Sequence, residues 1–98
     1  MTTRSTITLD TTVAQTESLL SADIGEEVVL LHIAKGTYYD ADSIGTQIWH
    51  RLARPTTVRE LCTALIQMFD VDVETCQADV LAFLNEAYAE GIIRIVTS

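Results

Sequence analysis

The sequence predicts an α+β domain of winged helix-turn-helix type, and three observations carry that prediction. A β-branched, apolar run, Val28-Val29-Leu30-Leu31-His32-Ile33, is followed by a short turn and then by Thr37-Tyr38-Tyr39-Asp40. Three amphipathic segments follow, each with its own start signal. A last apolar segment, residues 92–96, closes the chain after Gly91. Strands, then three short helices, then a short strand is the order of a winged helix-turn-helix.

Taken in order, residues 1–12 read as a flexible N-terminal arm rich in Thr, and residues 13–20 as a first strand. Residues 21–27 read as a connector with Gly25 at its turn. Residues 28–33 and 37–40 form a hairpin through Ala34-Lys35-Gly36, with Gly36 at positive φ and a one-residue bulge. The first helix covers residues 43–53 with Asp42 as N-cap. Its apolar face is Ile44, Ile48, Trp49 and Leu52, and Arg54-Pro55 ends it. Thr57 and Glu60 make a capping box for the second helix, whose stripe is Val58, Leu61, Cys62, Leu65 and Met68 or Phe69. The third helix covers residues 73–90 with Asp72 as N-cap. Val73, Cys76, Val80, Phe83, Leu84 and Ala87 form its core face, and Gly91 takes the left-handed position after it.

Composition narrows the function. Ninety-eight residues make one domain, here residues 13–98 after the arm. Fourteen acidic against six basic residues give a net charge of −8. A nucleic-acid binder needs a basic face to displace counterions from phosphates, and the third helix, the position of a recognition helix, has no Lys or Arg. The first ten residues lack the apolar segment of a signal peptide, and no run is long enough to span a bilayer. The expectation is a cytoplasmic protein without nucleic-acid or membrane partners.

Reactive chemistry is equally absent from the pattern. His32, His50, Cys62 and Cys76 lack the close pairs of a zinc site, and both cysteines fall on core faces, where a thiol is inert. No nucleotide-binding, nucleophile-elbow or metalloprotease motif occurs. Asp70, Asp72 and Glu74 cluster where they complement a helix dipole. The reading is therefore a non-enzymatic protein with no catalytic residues, no metal and no cofactor. Tyr38 and Tyr39 are adjacent on a strand, so one ring packs inward while the other stands outward.

The run Gly36-Thr37-Tyr38-Tyr39-Asp40-Ala41-Asp42-Ser43-Ile44-Gly45-Thr46-Gln47-Ile48-Trp49 resembles the G-x-Y-Y-x-L-N-x-x-G-x-x-I-W core of PqqD-like proteins, with Ala41 and Asp42 where Leu and Asn are usual. The resemblance continues through Thr57-Val58-Arg59-Glu60-Leu61, Asp79-Val80-Leu81-Ala82-Phe83-Leu84 and Gly91-Ile92-Ile93, over residues 13–95. It implies a RiPP recognition element: a three-stranded antiparallel sheet followed by three helices, which binds the leader of a ribosomally made precursor peptide. The leader adds antiparallel to the third strand, in the groove beside the third helix. Carried onto this chain, the peptide-binding residues are Gly36, Thr37, Tyr38, Tyr39, Asp40 and Ala41 on the strand. On the helix they are Asp79, Val80, Phe83, Leu84 and Ala87, with Asp79 facing a basic leader residue.

A free-standing chain of this size looks most like the recognition protein of lasso-peptide maturation. The resemblance then implies as partners the precursor leader, a transglutaminase-like cysteine protease and an asparagine-synthetase-like cyclase. A recognition element of another RiPP or quinone-cofactor pathway is the alternative, and a winged-helix DNA-binding regulator a more distant one. An unpaired strand edge also allows a monomer or an edge-strand dimer.

Overall fold

The computed structural model describes residues 7–17 and 19–96. Its elements are β1 (Thr12–Gln15), β2 (Leu19–Ile24), β3 (Glu27–His32), β4 (Thr37–Asp40), α1 (Ser43–Arg51), β5 (Thr56–Thr57), α2 (Val58–Met68), α3 (Val73–Ala89) and β6 (Ile93–Val96). They form the expected three-stranded antiparallel sheet, ordered β2-β3-β4, and the three helices. They also form a second small sheet, ordered β5-β1-β6.

That second sheet corrects the reading of the N-terminal third. The single strand expected over residues 13–20 is two strands in two sheets. After β1 the backbone leaves its ladder, with Gln15 N–H donating to the Leu52 carbonyl at 2.8 Å and Thr16 N–H to the Ile92 carbonyl at 3.3 Å. The connector expected over residues 21–27 is mostly β2, which pairs with β3 from Leu19↔His32 to Ile24↔Glu27. Only Gly25 and Glu26 turn, with Gly25 at φ +65° as in a type II′ hairpin. Ser21, Ala22 and Asp23 are weak strand formers on an exposed edge, so pairing with β3 decides their conformation and local propensity does not. Part of the segment read as an arm packs against the domain. Ile7 is buried in the main core and β1 begins at Thr12, while residues 1–6 lie outside the described residues.

The β3–β4 loop takes four residues, 33–36. Register runs from His32↔Thr37 to Val29↔Asp40 with no offset, so Gly36 (φ +65°) ends a four-residue loop and makes no bulge.

The helix starts are where the sequence puts them. Asp42 accepts from Gly45 N–H and Asp72 from Thr75 N–H, and Thr57 and Glu60 close a reciprocal capping box. After α3, Gly91 has φ +80°, and a side chain there would also stand 3.2 Å from the ring of His32. Both constraints disfavour any residue with a side chain.

The main core joins α1, α2, α3 and the β1 sheet through Val13, Ile48, Leu52, Leu61, Leu65, Val80, Leu84 and Ile93. A smaller cluster, Val28, Leu30 and Trp49, holds the β2-β3-β4 sheet onto α1. Three residues assigned to core faces are instead largely exposed: Ile44, Val73 and Phe83. On α3 the buried side chains are Cys76, Val80, Leu84 and Ala87; Phe83 falls at the edge of that row, whereas Val73 is in phase with it but is the first residue of the helix. Among the described residues, no helix is long and apolar enough to cross a membrane.

One hydroxyl joins the two parts. Thr46 is buried on α1, and its Oγ1 accepts from Val28 N–H at 3.0 Å and donates to the Ala41 carbonyl at 3.4 Å. Thr46→Val leaves a buried N–H without a partner, which costs about 1–3 kcal/mol. Urea denaturation of Thr46→Val is expected to show that loss, while Thr46→Ser, which keeps the hydroxyl, loses less.

Candidate functional site

The last strand of the β2-β3-β4 sheet has an open edge, and the backbone defines what it offers. Ala41 N–H donates to the Val28 carbonyl at 3.1 Å. Bonded pairs alternate along an antiparallel ladder, so Tyr39 and Thr37 also turn their backbone groups toward β3. Tyr38 and Asp40 turn theirs away, leaving two N–H and two C=O groups in line on the free side. Side chains alternate too: Thr37 and Tyr39 face inward, while Tyr38 stands outward at 71% exposure.

Beside that edge lies an apolar groove. Its larger part, a cavity of about 410 Å³, has Leu30, Ile48, Trp49, Leu52, Ile92 and Ile93 among its lining residues. Tyr39 and Asp40 of β4, with Ala41 just past it, form one wall, and Phe83, Glu86 and Ala87 of α3, with its C-cap Glu90, form the other. These four helix residues are spaced i, i+3, i+4 and i+7, which places them on one face. A smaller cavity of about 190 Å³ adjoins it at Gly45, Ile48 and Phe83, and continues to Ile44, Asp79 and Val80. Gly45 makes this closeness possible. A Cβ there would lie 3.3 Å from Ala41 Cβ and 3.7 Å from Phe83 Cζ.

At one end the walls are bridged. The Tyr39 hydroxyl donates to Glu90 Oε1 at 3.1 Å, and Lys35 Nζ donates to the Glu90 carbonyl at 2.9 Å. Desolvation, reinforced by the Glu90 carboxylate, pushes the Tyr39 phenol above its usual range.

The residues predicted from sequence distribute unevenly around this groove. Tyr39, Asp40, Ala41, Phe83 and Ala87 line the large cavity, and Asp79, Val80 and Phe83 the small one. Gly36 lies in the hairpin loop, and Thr37 and Tyr38 on the edge strand outside both cavities. Leu84 is fully buried in the main core and lines neither. Sequence reasoning did not assign Leu30, Trp49, Glu86, Glu90 or Ile92 to the site. For Glu86 and Glu90 a signal existed, the i+3 and i+7 spacing from Phe83.

The remaining reactive groups lie apart. His50 is exposed and 3.0 Å from Asp23, whereas His32 is buried on the inner face of β3 with its Nδ1 unbonded. Cys62 and Cys76 are free and buried together in the main core. Burial pushes the Cys62 thiol up to about 11, helped by the neighbouring Cys76. An unfolded thiol ionises near 9.0, so stability falls with rising pH between about 9 and about 11, where the unfolded chain loses a proton that the folded one keeps. Iodoacetamide at pH 8 is expected to leave both cysteines unmodified in the folded protein and to alkylate both in urea, as read by intact mass.

The same fold is found in solved structures. "TbiB1 in Complex with the TbiA(beta) Leader Peptide" superimposes with a TM-score of 0.79 and 29% identity, over 87% of this chain and 99% of that one. "Lasso peptide synthetase B1 complexed with the leader peptide" superimposes with a TM-score of 0.75 over 84% of this chain and 96% of that one. At 17% identity it shows a shared fold. No curated protein matches the chain significantly. The family model described as coenzyme PQQ synthesis protein D (PqqD) matches residues 27–93, well over half of the sequence, and the chain belongs to that family.

Proposed function

We propose that this protein binds the leader segment of a ribosomally synthesised precursor peptide. The leader adds as a strand to β4, with its inward side chains in the groove against α3. The observation that carries the reading is the open edge itself: four unpaired backbone groups on Tyr38 and Asp40, directly beside an apolar groove. The 29% identical relative, whose structure is a complex with a leader peptide, supports it.

The energetics fit a reversible carrier. Four backbone hydrogen bonds contribute about 1 kcal/mol each, and ordering a flexible peptide cancels much of that. One or two leader side chains buried in the groove add about 1.5–3 kcal/mol each, which brings binding to the micromolar range. Such a protein acts by holding and handing over and needs no catalytic group. Lasso-peptide maturation is the pathway most consistent with the neighbours. In that setting the protein presents the leader to a transglutaminase-like cysteine protease and an asparagine-synthetase-like cyclase, in the cytoplasm where precursors leave the ribosome. Without leader, the free edge is open to a second copy, so leader and self-pairing compete for one surface.

A proline separates this mode from others. At Tyr38 the N–H points away from β3, so Tyr38→Pro removes an outward donor without breaking the internal ladder. Titration with the leader of the adjacent precursor gene is expected to shift the amides of residues 37–41 in the native protein. Tyr38→Pro is expected to retain the fold by circular dichroism and to bind at least about tenfold more weakly, since it loses a hydrogen bond and the strand's fit. Binding with those amides unmoved would sink strand addition.

A further inference from the structure

The groove carries a charge pattern that specifies the chemistry of its peptide more narrowly than "apolar". Its floor is apolar around Leu30 and Trp49, while carboxylates stand on both sides: Asp40 on β4 and Glu86 and Glu90 at the end of α3 line the large cavity, and Asp42 and Asp79 the small one. No Lys or Arg lines either cavity, and none of these five carboxylates is in an ion pair among the described residues. α3 also has no basic residue in its last turn, so the negative end of its dipole adds to the field at Glu90. One cation comes near, Lys35, and its Nζ bonds the Glu90 carbonyl.

Resting on the leader-binding reading, the geometry points to a groove selective for a peptide that carries a bulky apolar residue with Lys or Arg two positions away. Alternate residues of an added strand face the groove, about 6.6 Å apart. Glu86 and Glu90 stand four residues apart on α3, about 6 Å along its axis. An inward apolar side chain opposite Tyr39 fills the space over Leu30 and Trp49. The next inward side chain, if long and cationic, lays its methylenes on Phe83 and Ala87 and puts its charge at a carboxylate. A neutral residue there leaves the carboxylates solvated, and an acidic one is repelled. The carboxylates are exposed, so the discrimination is moderate and depends on salt.

The test uses labelled synthetic peptides of alternating strand-forming sequence, with one Leu anchor and Lys, Ala or Glu two positions on, followed by fluorescence anisotropy with the intact protein. Each carboxylate contributes about two- to fivefold. The Lys peptide is therefore expected to bind about tenfold more tightly than the Ala peptide at low salt, and the Glu peptide most weakly. High salt should shrink the spread. Glu86→Gln with Glu90→Gln, which keeps an acceptor for the Tyr39 hydroxyl, is expected to narrow the spread between the Lys and Glu peptides severalfold. Glu86→Lys with Glu90→Lys is expected to favour the Glu peptide, an inversion that a folding defect cannot produce. Equal affinity for all three peptides, with the amides of residues 37–41 shifting, overturns the charge selectivity and leaves leader binding standing. Absence of binding by every peptide, together with failure of the cognate leader, overturns both.

Discussion

The hydroxyl of Thr46 is the point on which the site depends. It lies in the first turn of α1, accepts the N–H of Val28 at the start of β3 and donates to the carbonyl of Ala41 just past β4. Two further bonds close the junction: Ala41 N–H to the Val28 carbonyl at 3.1 Å, and Thr46 N–H to the Asp42 carbonyl at 2.8 Å. The strand that offers the open edge is thus fixed to the helix that forms the groove floor. Buried backbone groups must be paired, so this arrangement has few alternatives. If the junction loosened, the edge and the floor would move independently, and the groove would lose its fixed shape.

The groove follows from how the two sheets divide the work. The β5-β1-β6 sheet packs with α2 and α3 around the large core, whereas the β2-β3-β4 sheet is held to α1 by Val28, Leu30 and Trp49. Ile92 touches both clusters, and Gly91 delivers it there by turning the chain at φ +80° against His32. α3 belongs to one body and β4 to the other. Among the described residues they are bridged at one end, by the Tyr39 hydroxyl on Glu90, and the space left between them is the groove.

Much of this was legible in the residues. Asp42, Asp72 and the Thr57–Glu60 pair act through neighbours three residues away, so their capping roles are local and readable. The apolar run of β3 and the inward–outward split of Tyr38 and Tyr39 follow from strand alternation. What was not legible is non-local. β2 is a strand because β3 pairs with it, and β5 is two residues long and exists only against β1. Leu30, Trp49 and Ile92 come to one cavity from three distant segments, and no spacing rule relates them.

The errors on the helices have a more instructive cause. Phe83 and Ile44 were placed on core faces because they are apolar and helically spaced, and only Phe83 was also named as a peptide-binding residue. Periodicity reports which side chains avoid water, and it does not say what covers them. In this fold Phe83 is 41% exposed on the groove wall and Ile44 is exposed beside the smaller cavity. Both are apolar because they line the open groove, not the packed core. Glu86 and Glu90 mislead in the opposite sense, since acids on an exposed helix face read as solubilising. Set on the same face as Phe83 and Ala87, opposite an unpaired strand, they give that surface a sign as well as a shape.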